Sequence, residues 1–205
     1  MQPIEMIMRM APVIPVLVIE DPAHARPVAE ALVSGGLPVL EVTLRTPAAL
    51  EVIAEMRSVP GAMVGAGTVL NEADLRASLD AGARFIVSPG LTEPLGRAAI
   101  ASGMPFLPGI ATAGDIMRGL DLGLMHFKFF PAMASGGLPA LKALAAPFAQ
   151  ARFCPTGGIT QTMVPDWLAL PEVLCVGGSW LVPRGAPDAA AISGAASAAV
   201  AATRG

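Results

Sequence analysis

"VLEVTLRTPAALEVIAEMRSVPGAMVGAGTVL", Val39 to Leu70, reads as a strand, a helix and a second strand. "VLEVTL" and "AMVGAGT" are short, apolar, β-rich runs, and the longer "PAALEVIAEMRSV" between them carries a helical pattern. Strand, helix, strand is the repeating unit of a parallel sheet. The unit recurs along nearly the whole chain. "VIPVLV" precedes it, and "FIVS", "PFLPGI", "HFKFF", "RFCPT" and "VLCVGG" follow. Alanine- and leucine-rich stretches such as "AHARPVAEALVSGG", "EADLRASLDAG", "EPLGRAAIASG", "AGDIMRGLDLG" and "LPALKALAAPF" lie between. Strands in this number, at about 20 to 25 residues per unit, meet the requirement of an α/β fold of the (β/α)8 TIM-barrel type. A doubly wound open sheet is the competing architecture. No linker or break in composition divides the sequence, so one domain over residues 1–205 is expected. Gly35, Gly82, Gly103 and Gly123 are expected to close helices in left-handed caps, where a missing Cβ removes the steric cost. The alanine-rich tail from Ala189 to Ala202 is read as a final helix.

Composition narrows the function. Hydrophobic residues make up 54% of the 205, and charged residues 14%. Much of the apolar total is alanine, and runs such as "VIPVLVI" fall far short of the ~20 residues that cross a bilayer. "MQPIEMIMRMAP" contains Glu5, lacks a basic n-region and offers no small-residue cleavage site, so it makes a poor signal peptide. A cytoplasmic protein that stays off membranes is expected. A net charge of −3 with scattered arginines lacks the basic stripe of a nucleic-acid binder. Seven Phe, two Trp and no Tyr are too few for base-stacking platforms. Cys154 and Cys175 form no CxxC pair and read as buried, reduced thiols. With His24 and His126 the only histidines, a protein-built metal site has too few ligands at suitable spacing.

Alternation along the strands singles out polar residues. In "VLEVTLR", Leu40, Val42 and Leu44 share one face while Glu41, Thr43 and Arg45 share the other. In "HFKFF", Phe127 and Phe129 take one face and His126, Lys128 and Phe130 the other. With the apolar faces packed on helices, Glu41, Arg45 and Lys128 converge inside the barrel, near the strand ends where barrel enzymes place their sites. A Glu and an Arg on one strand face are often only an ion pair. Burying such charges, however, costs several kcal/mol per ion unless they are paired, which favours a functional role. His126, below the lysine, reads as a packed core residue.

Two Gly-Gly pairs end later strands, in "CPTGGIT" and "VGGSWL". Backbone N–H groups in such turns cradle anions, and the loops after the seventh and eighth strands are the usual phosphate position in a barrel. Thr156 and Ser179 add hydroxyl donors to Gly157, Gly158 and Gly178. Thr68 in "GAGTVL" ends another strand with a hydroxyl available to a carboxylate or carbonyl. Pro89 in "SPGL" and Gly109 in "LPGI" read as turn residues at strand ends.

Taken in order, "VLEVTLRT", "GAGTVL", "SPG", "KFFPA", "PTGGI" and "GGSWLVP" resemble the 2-keto-3-deoxy-6-phosphogluconate (KDPG) aldolase family, from about Pro12 to Pro183. The resemblance implies a class I aldolase on a (β/α)8 barrel, without metal or dissociable cofactor. It implies a homotrimer of the Entner–Doudoroff pathway whose members often also cleave 4-hydroxy-2-oxoglutarate. Its ligands would be a phosphorylated 2-keto acid and pyruvate. Carried over, the Schiff-base lysine is Lys128 and the proton-shuttling glutamate is Glu41. Arg45 and Thr68 would hold the pyruvate carboxylate. Gly157, Gly158, Gly178 and Ser179, with Thr156 beside them, would hold the phosphate, and Pro89 and Phe130 would line the pocket. Met133 departs from the family, where many members carry an acidic residue; that bears on rim contacts or trimer packing rather than on chemistry.

An amine attacks a ketone only when unprotonated. Flanking phenyl rings and a nearby Arg45 favour the neutral amine, whereas an ionised Glu41 favours the ammonium. Three other readings remain. A 6-phosphogalactonate aldolase differs in C4 stereochemistry, and Thr156 in "PTGGI" together with "VTLR" favours the gluconate enzyme. A non-catalytic barrel that binds a phosphorylated ligand explains the glycine pairs but not the convergent charges. A phosphosugar isomerase would need no iminium-forming lysine.

Overall fold

The computed structural model describes residues 2–202, so residues 1 and 203–205 of the expected domain lie outside it. Apolar runs become β1 (Val13–Leu17), β2 (Val39–Thr43), β3 (Met63–Gly67), β4 (Ile86–Val87), β5 (Phe106–Leu107), β6 (Gly109–Ile110), β7 (His126–Phe129), β8 (Arg152–Pro155) and β9 (Val176–Gly178). Every pairing between them is parallel. One curled sheet has the order β5-β4-β3-β2-β1-β9 and a second has β6-β7-β8. From β1 to β5 the strands follow one another in sequence order, so the reversal that defines a doubly wound sheet is absent from the described ladders. "PFLPGI", expected as one strand, is two short pieces in different sheets. Pro108 between them has no N–H to donate to a ladder, although its carbonyl accepts from Lys128 N at 2.8 Å.

The intervening segments form α2 (Ala25–Ser34), α3 (Ala49–Met56), α4 (Glu72–Asp80), α5 (Glu93–Ala101), α6 (Ala113–Asp121), α7 (Gly137–Ala145), α8 (Val164–Leu168) and α9 (Ala189–Ala201), preceded by α1 (Pro3–Met8). Asn71, Thr92, Thr112 and Asp188 cap four of them by accepting from backbone N–H groups, each cap contributing about 1 kcal/mol. One expected cap is corrected: Gly35 has φ −77°, and the left-handed residue is Gly36. Gly35 is instead a contact residue, since a Cβ there would strike Ala196 of α9. None of the described helices is long and apolar enough to cross a membrane.

Alternation divides the apolar residues into two cores. Leu40, Val42, Val64, Phe127, Phe129 and Phe153 face the helices, where they meet Val52, Ile53 and Ile192. The opposite face carries Ile14, Val39, Phe85, Val87, Leu107, Cys154 and Cys175, joined by Ile4, Ile7 and Met8 of α1. Both cysteines are free and buried. A hydrogen bond with Cys154, together with burial, holds the Cys175 thiol well above the usual cysteine range.

Helix α1 packs where β7 begins. His126 Nδ1 lies 3.2 Å from Gln2 Oε1, and Nε2 lies 3.4 Å from Glu5 Oε2. Burial holds His126 below the usual histidine range; Glu5 opposes this, while Arg152 and Arg9 reinforce it. As pH falls, the unfolded chain therefore takes up this proton first. The associated stability is complete above roughly pH 6.5 and is lost below it, toward the folded value. Glu5, held low chiefly by its hydrogen bond from Arg9, contributes a separate loss that starts only below about pH 4.5. Urea titrations between these limits should show stability falling with pH, with a smaller slope in His126→Gln. An equal slope in the variant would exclude His126 as the source.

Candidate active site

Two residues 87 positions apart meet inside the strand layer. β2 directs Glu41 and β7 directs Lys128 to the same side, and Lys128 Nζ donates to Glu41 Oε1 at 2.8 Å. They are only 5% and 3% exposed. Withdrawing two such charges from water costs several kcal/mol per ion, and one short contact offsets that only in part. Among the described residues neither group takes a further hydrogen bond, so Oε2 and the remaining ammonium protons keep their bonding capacity. The Phe130 ring lies under the cation, its centroid 5.4 Å from Nζ. Phe127 and Phe129 point the other way, into the helix-facing core, as alternation requires.

Beside Phe130 opens a cavity of about 90 Å³, lined by Arg45, Gly157, Gly158, Gly177 and Ser179, with Val16, Thr156 and Ile159 completing it. Gly157 and Gly158 are consecutive left-handed residues at φ 105° and 76°. This geometry is strained for any side chain and bends the backbone around a concave face. A Cβ on Gly158 would also stand 2.9 Å from Met133 Cβ. Two backbone bonds join this turn to the segment after Lys128: Ala132 N to Thr156 O at 2.8 Å and Met133 N to Gly157 O at 3.1 Å.

Several expected site residues sit differently from their sequence placement. β2 ends at Thr43, so Arg45 lies in the following turn. It is exposed and reaches the cavity rather than the Lys128–Glu41 contact. Thr156 has its hydroxyl turned to Cys154 O at 3.3 Å, which occupies the proton expected for an anion. In the second Gly-Gly pair the cavity wall is Gly177, whereas a Cβ on Gly178 would run into the Trp180 ring. Pro89 is half-buried and borders a neighbouring cleft of about 400 Å³ with Val69, Leu70 and Thr92. Gly109 is a strand residue, not a turn, and its missing Cβ admits the Pro89 backbone. Thr68 follows β3 with φ 60°, the one left-handed non-glycine among the described residues. A β-branched residue in that region is an outlier of the kind that collects at ligand sites. A groove of about 660 Å³ between α7 and α8 is mostly apolar and lacks both Lys128 and Glu41; Met133 is exposed at its edge.

A family model described as KDPG and KHG aldolase matches residues 4–194. The chain belongs to this family. Among KDPG and KHG aldolases, a 2-dehydro-3-deoxy-phosphogluconate aldolase of Zymomonas mobilis is 63% identical over 94% of this chain and 93% of its own length. The crystal structure of the Z. mobilis ZM4 2-keto-3-deoxy-6-phosphogluconate aldolase with 3-phosphoglycerate superposes with a TM-score of 0.96. It is 62% identical and covers 98% of this chain and 96% of its own. A Legionella pneumophila KDPG aldolase, solved with pyruvate captured at low pH as a covalent carbinolamine, gives a TM-score of 0.93. It is 44% identical over 96% of this chain and 98% of its own.

Proposed function

We propose that this chain is a class I aldolase that cleaves 2-keto-3-deoxy-6-phosphogluconate to pyruvate and D-glyceraldehyde 3-phosphate in the Entner–Doudoroff pathway, and that it also acts on 4-hydroxy-2-oxoglutarate. The observation that carries this reading is the buried 2.8 Å contact between Lys128 and Glu41 beside a glycine-walled cavity. A carbinolamine, the species captured in the Legionella enzyme, is the adduct of an amine and a carbonyl, and Lys128 is the buried amine of this chain.

The cycle begins with a proton passing from Lys128 to Glu41 along their hydrogen bond, which frees the amine lone pair. Lys128 Nζ attacks C2 of the keto acid, and the proton that the now cationic nitrogen gives up passes to the developing alkoxide to give the neutral carbinolamine. Glu41 protonates the hydroxyl, water leaves and the iminium forms. The Glu41 carboxylate then removes the C4 hydroxyl proton; the C3–C4 bond breaks and its electrons move into the iminium. Glyceraldehyde 3-phosphate departs, C3 of the enamine is protonated, and water hydrolyses the pyruvyl iminium. Thr68 holds the carboxylate, joined by Arg45 once its exposed side chain swings from the cavity toward Lys128, while Gly157, Gly158, Ser179 and the backbone around Gly178 hold the phosphate. Pro89 and Phe130 line the channel between. Anchoring both ends aligns C2 with the amine, which is where binding energy becomes rate. The aldehyde product and the 3-phosphoglycerate of the Zymomonas structure share a phosphorylated three-carbon chain.

The two sheets are arcs of one (β/α)8 barrel forming a single domain. In support, an isolated parallel bridge from Thr156 to Gly177 sets β8 beside β9, and only Pro108 separates β5 from β6. Exposed apolar residues such as Met6, Leu70, Ile100 and Met117 support burial in a homotrimer. Buried free thiols fit a reducing, cytoplasmic setting.

Borohydride reduction with pyruvate tests the mechanism. Mass spectrometry should find a reduced pyruvyl adduct on Lys128 that is missing from Lys128→Ala; intact, folded protein without an adduct would end the proposal. Cleavage of both C4 epimers settles the sugar, since preference for the galacto substrate would reassign it. Thr68→Gly separates strain from binding. Relief of the positive φ should raise stability by about 1 kcal/mol, while loss of the hydroxyl–carboxylate bond should lower kcat/KM roughly 10- to 100-fold. Unchanged kinetics would remove Thr68 from the carboxylate site.

A further inference from the structure

Glu41 reaches Lys128 across a gap in the neighbouring strand. β2 and β3 pair in register with Glu41 opposite Gly65 and Thr43 opposite Gly67, so residues 41, 65 and 67 face the same interior. The Glu41 side chain extends toward the C-terminal end of the strands and lies over the α-carbon of Gly67. A Cβ built on Gly67 would stand 2.7 Å from Glu41 Cγ and 2.8 Å from Cδ, and closer still to Oε1. Neighbouring interior glycines make room for other groups: Gly65 for the Phe85 ring and Gly177 for Thr156. Only the space over Gly67 holds the carboxylate that faces the lysine.

That carboxylate has nowhere equivalent to go. It is buried, and Lys128 Nζ holds one oxygen at 2.8 Å. The clash would involve Cγ and Cδ as well as the tip, so rotating the terminal torsion cannot relieve it. A methyl at position 67 would push the whole carboxyl group off its line to Nζ.

We propose that Gly67 is a positioning residue for the aldolase reaction. Its absent side chain forms the slot that sets the proton-relaying carboxylate of Glu41 against Lys128. This deepens the reading of Glu41 and Lys128 above and rests on it. Gly67 touches no substrate and acts only through Glu41. Shortening the acid by one methylene draws it out of the slot, so a side chain at 67 should matter much less when residue 41 is aspartate.

The test is a double-mutant cycle of Gly67→Ala with Glu41→Asp, read by cleavage kinetics, the pH profile of kcat and borohydride trapping of pyruvate. Gly67→Ala alone is expected to lower kcat about 100-fold, the scale of a misplacement near 1 Å, with KM little changed and the pH profile altered. In the Glu41→Asp background the same change should cost less than about tenfold. An equal cost in both backgrounds, or a pH profile that keeps its shape, overturns the assignment. Should Gly67→Ala fail to fold, recovery of folding in the double variant supports the slot, and failure of both overturns it. Trapping by the unmodified protein separates the two readings. No adduct there condemns the aldolase mechanism itself, whereas an adduct without coupling condemns only the role of Gly67.

Discussion

Lys128→Ala is expected to lower kcat/KM by at least about 10⁴-fold, the scale seen when a covalent catalyst is removed. The other lysine cannot substitute. Lys142, the only other lysine, is exposed on α7 beside the large apolar groove. Lys128→Arg keeps the positive charge but cannot form the iminium, so it should be equally inactive; full activity in that variant would refute the Schiff-base route. A second effect follows from burial. Removing the lysine strands the Glu41 carboxylate where water reaches it poorly, and breaking a buried pair from one side costs about 3–5 kcal/mol. Urea denaturation should register that loss in Lys128→Ala. Most of it should return in Lys128→Ala/Glu41→Gln, where no unpaired charge remains. An equal deficit in both variants would mean the pair contributes nothing through its charges.

Glu41→Gln should act on proton movement while keeping the shape of the site, at a cost in stability because the buried Lys128 cation loses its counter-charge. The amide has the shape of the carboxylate and its oxygen still accepts from Lys128 Nζ, so the 2.8 Å contact has a neutral counterpart. What disappears is a group able to take and return protons, and positioned acid–base catalysis is worth roughly 10²–10⁴-fold. Cleavage should slow by that factor. Exchange of the pyruvate methyl hydrogens with deuterated solvent, which needs no aldehyde, should slow in parallel. Exchange at the unmodified rate would assign the C3 proton transfer to another group. Loss of cleavage with intact exchange would confine Glu41 to the C4 hydroxyl.

The central pair was legible because strand alternation has a period of two and little freedom. Once "VLEVTL" and "HFKFF" are strands, Glu41 and Lys128 must face away from Leu40, Val42, Phe127 and Phe129, and a shared interior brings them together. Arg45 was placed by the same rule one step too far, because β2 ends at Thr43 and a turn does not alternate. Alternation from Cys175 would have chosen Gly177 as the cavity wall; motif matching chose Gly178. Thr156 shows a different limit: hydroxyls rotate, and sequence does not say whether the proton goes to a ligand or to Cys154 O. Pro108 splitting "PFLPGI" was readable from proline's missing N–H, and α1 from Ile4, Ile7 and Met8 at helical spacing. Gly67 was not readable. Its contribution is empty space, and the size of that space depends on how far Glu41 extends from the next strand.

Helix α1 gives the site a direction of traffic. Ile4, Ile7 and Met8 join Phe85, Leu107 and the two cysteines in the inner apolar cluster, so the interior behind Lys128 and Glu41 is filled and the way in is also the way out. A six-carbon substrate must enter keto end first and park its phosphate near the entrance. Once the C3–C4 bond breaks, the phosphorylated half is nearer the exit and the pyruvyl half is tethered behind it. The order of departure is then a matter of queueing, with the aldehyde first and pyruvate last. Free pyruvate, the smaller passenger, should therefore be the product able to reload the lysine and hold the enzyme idle.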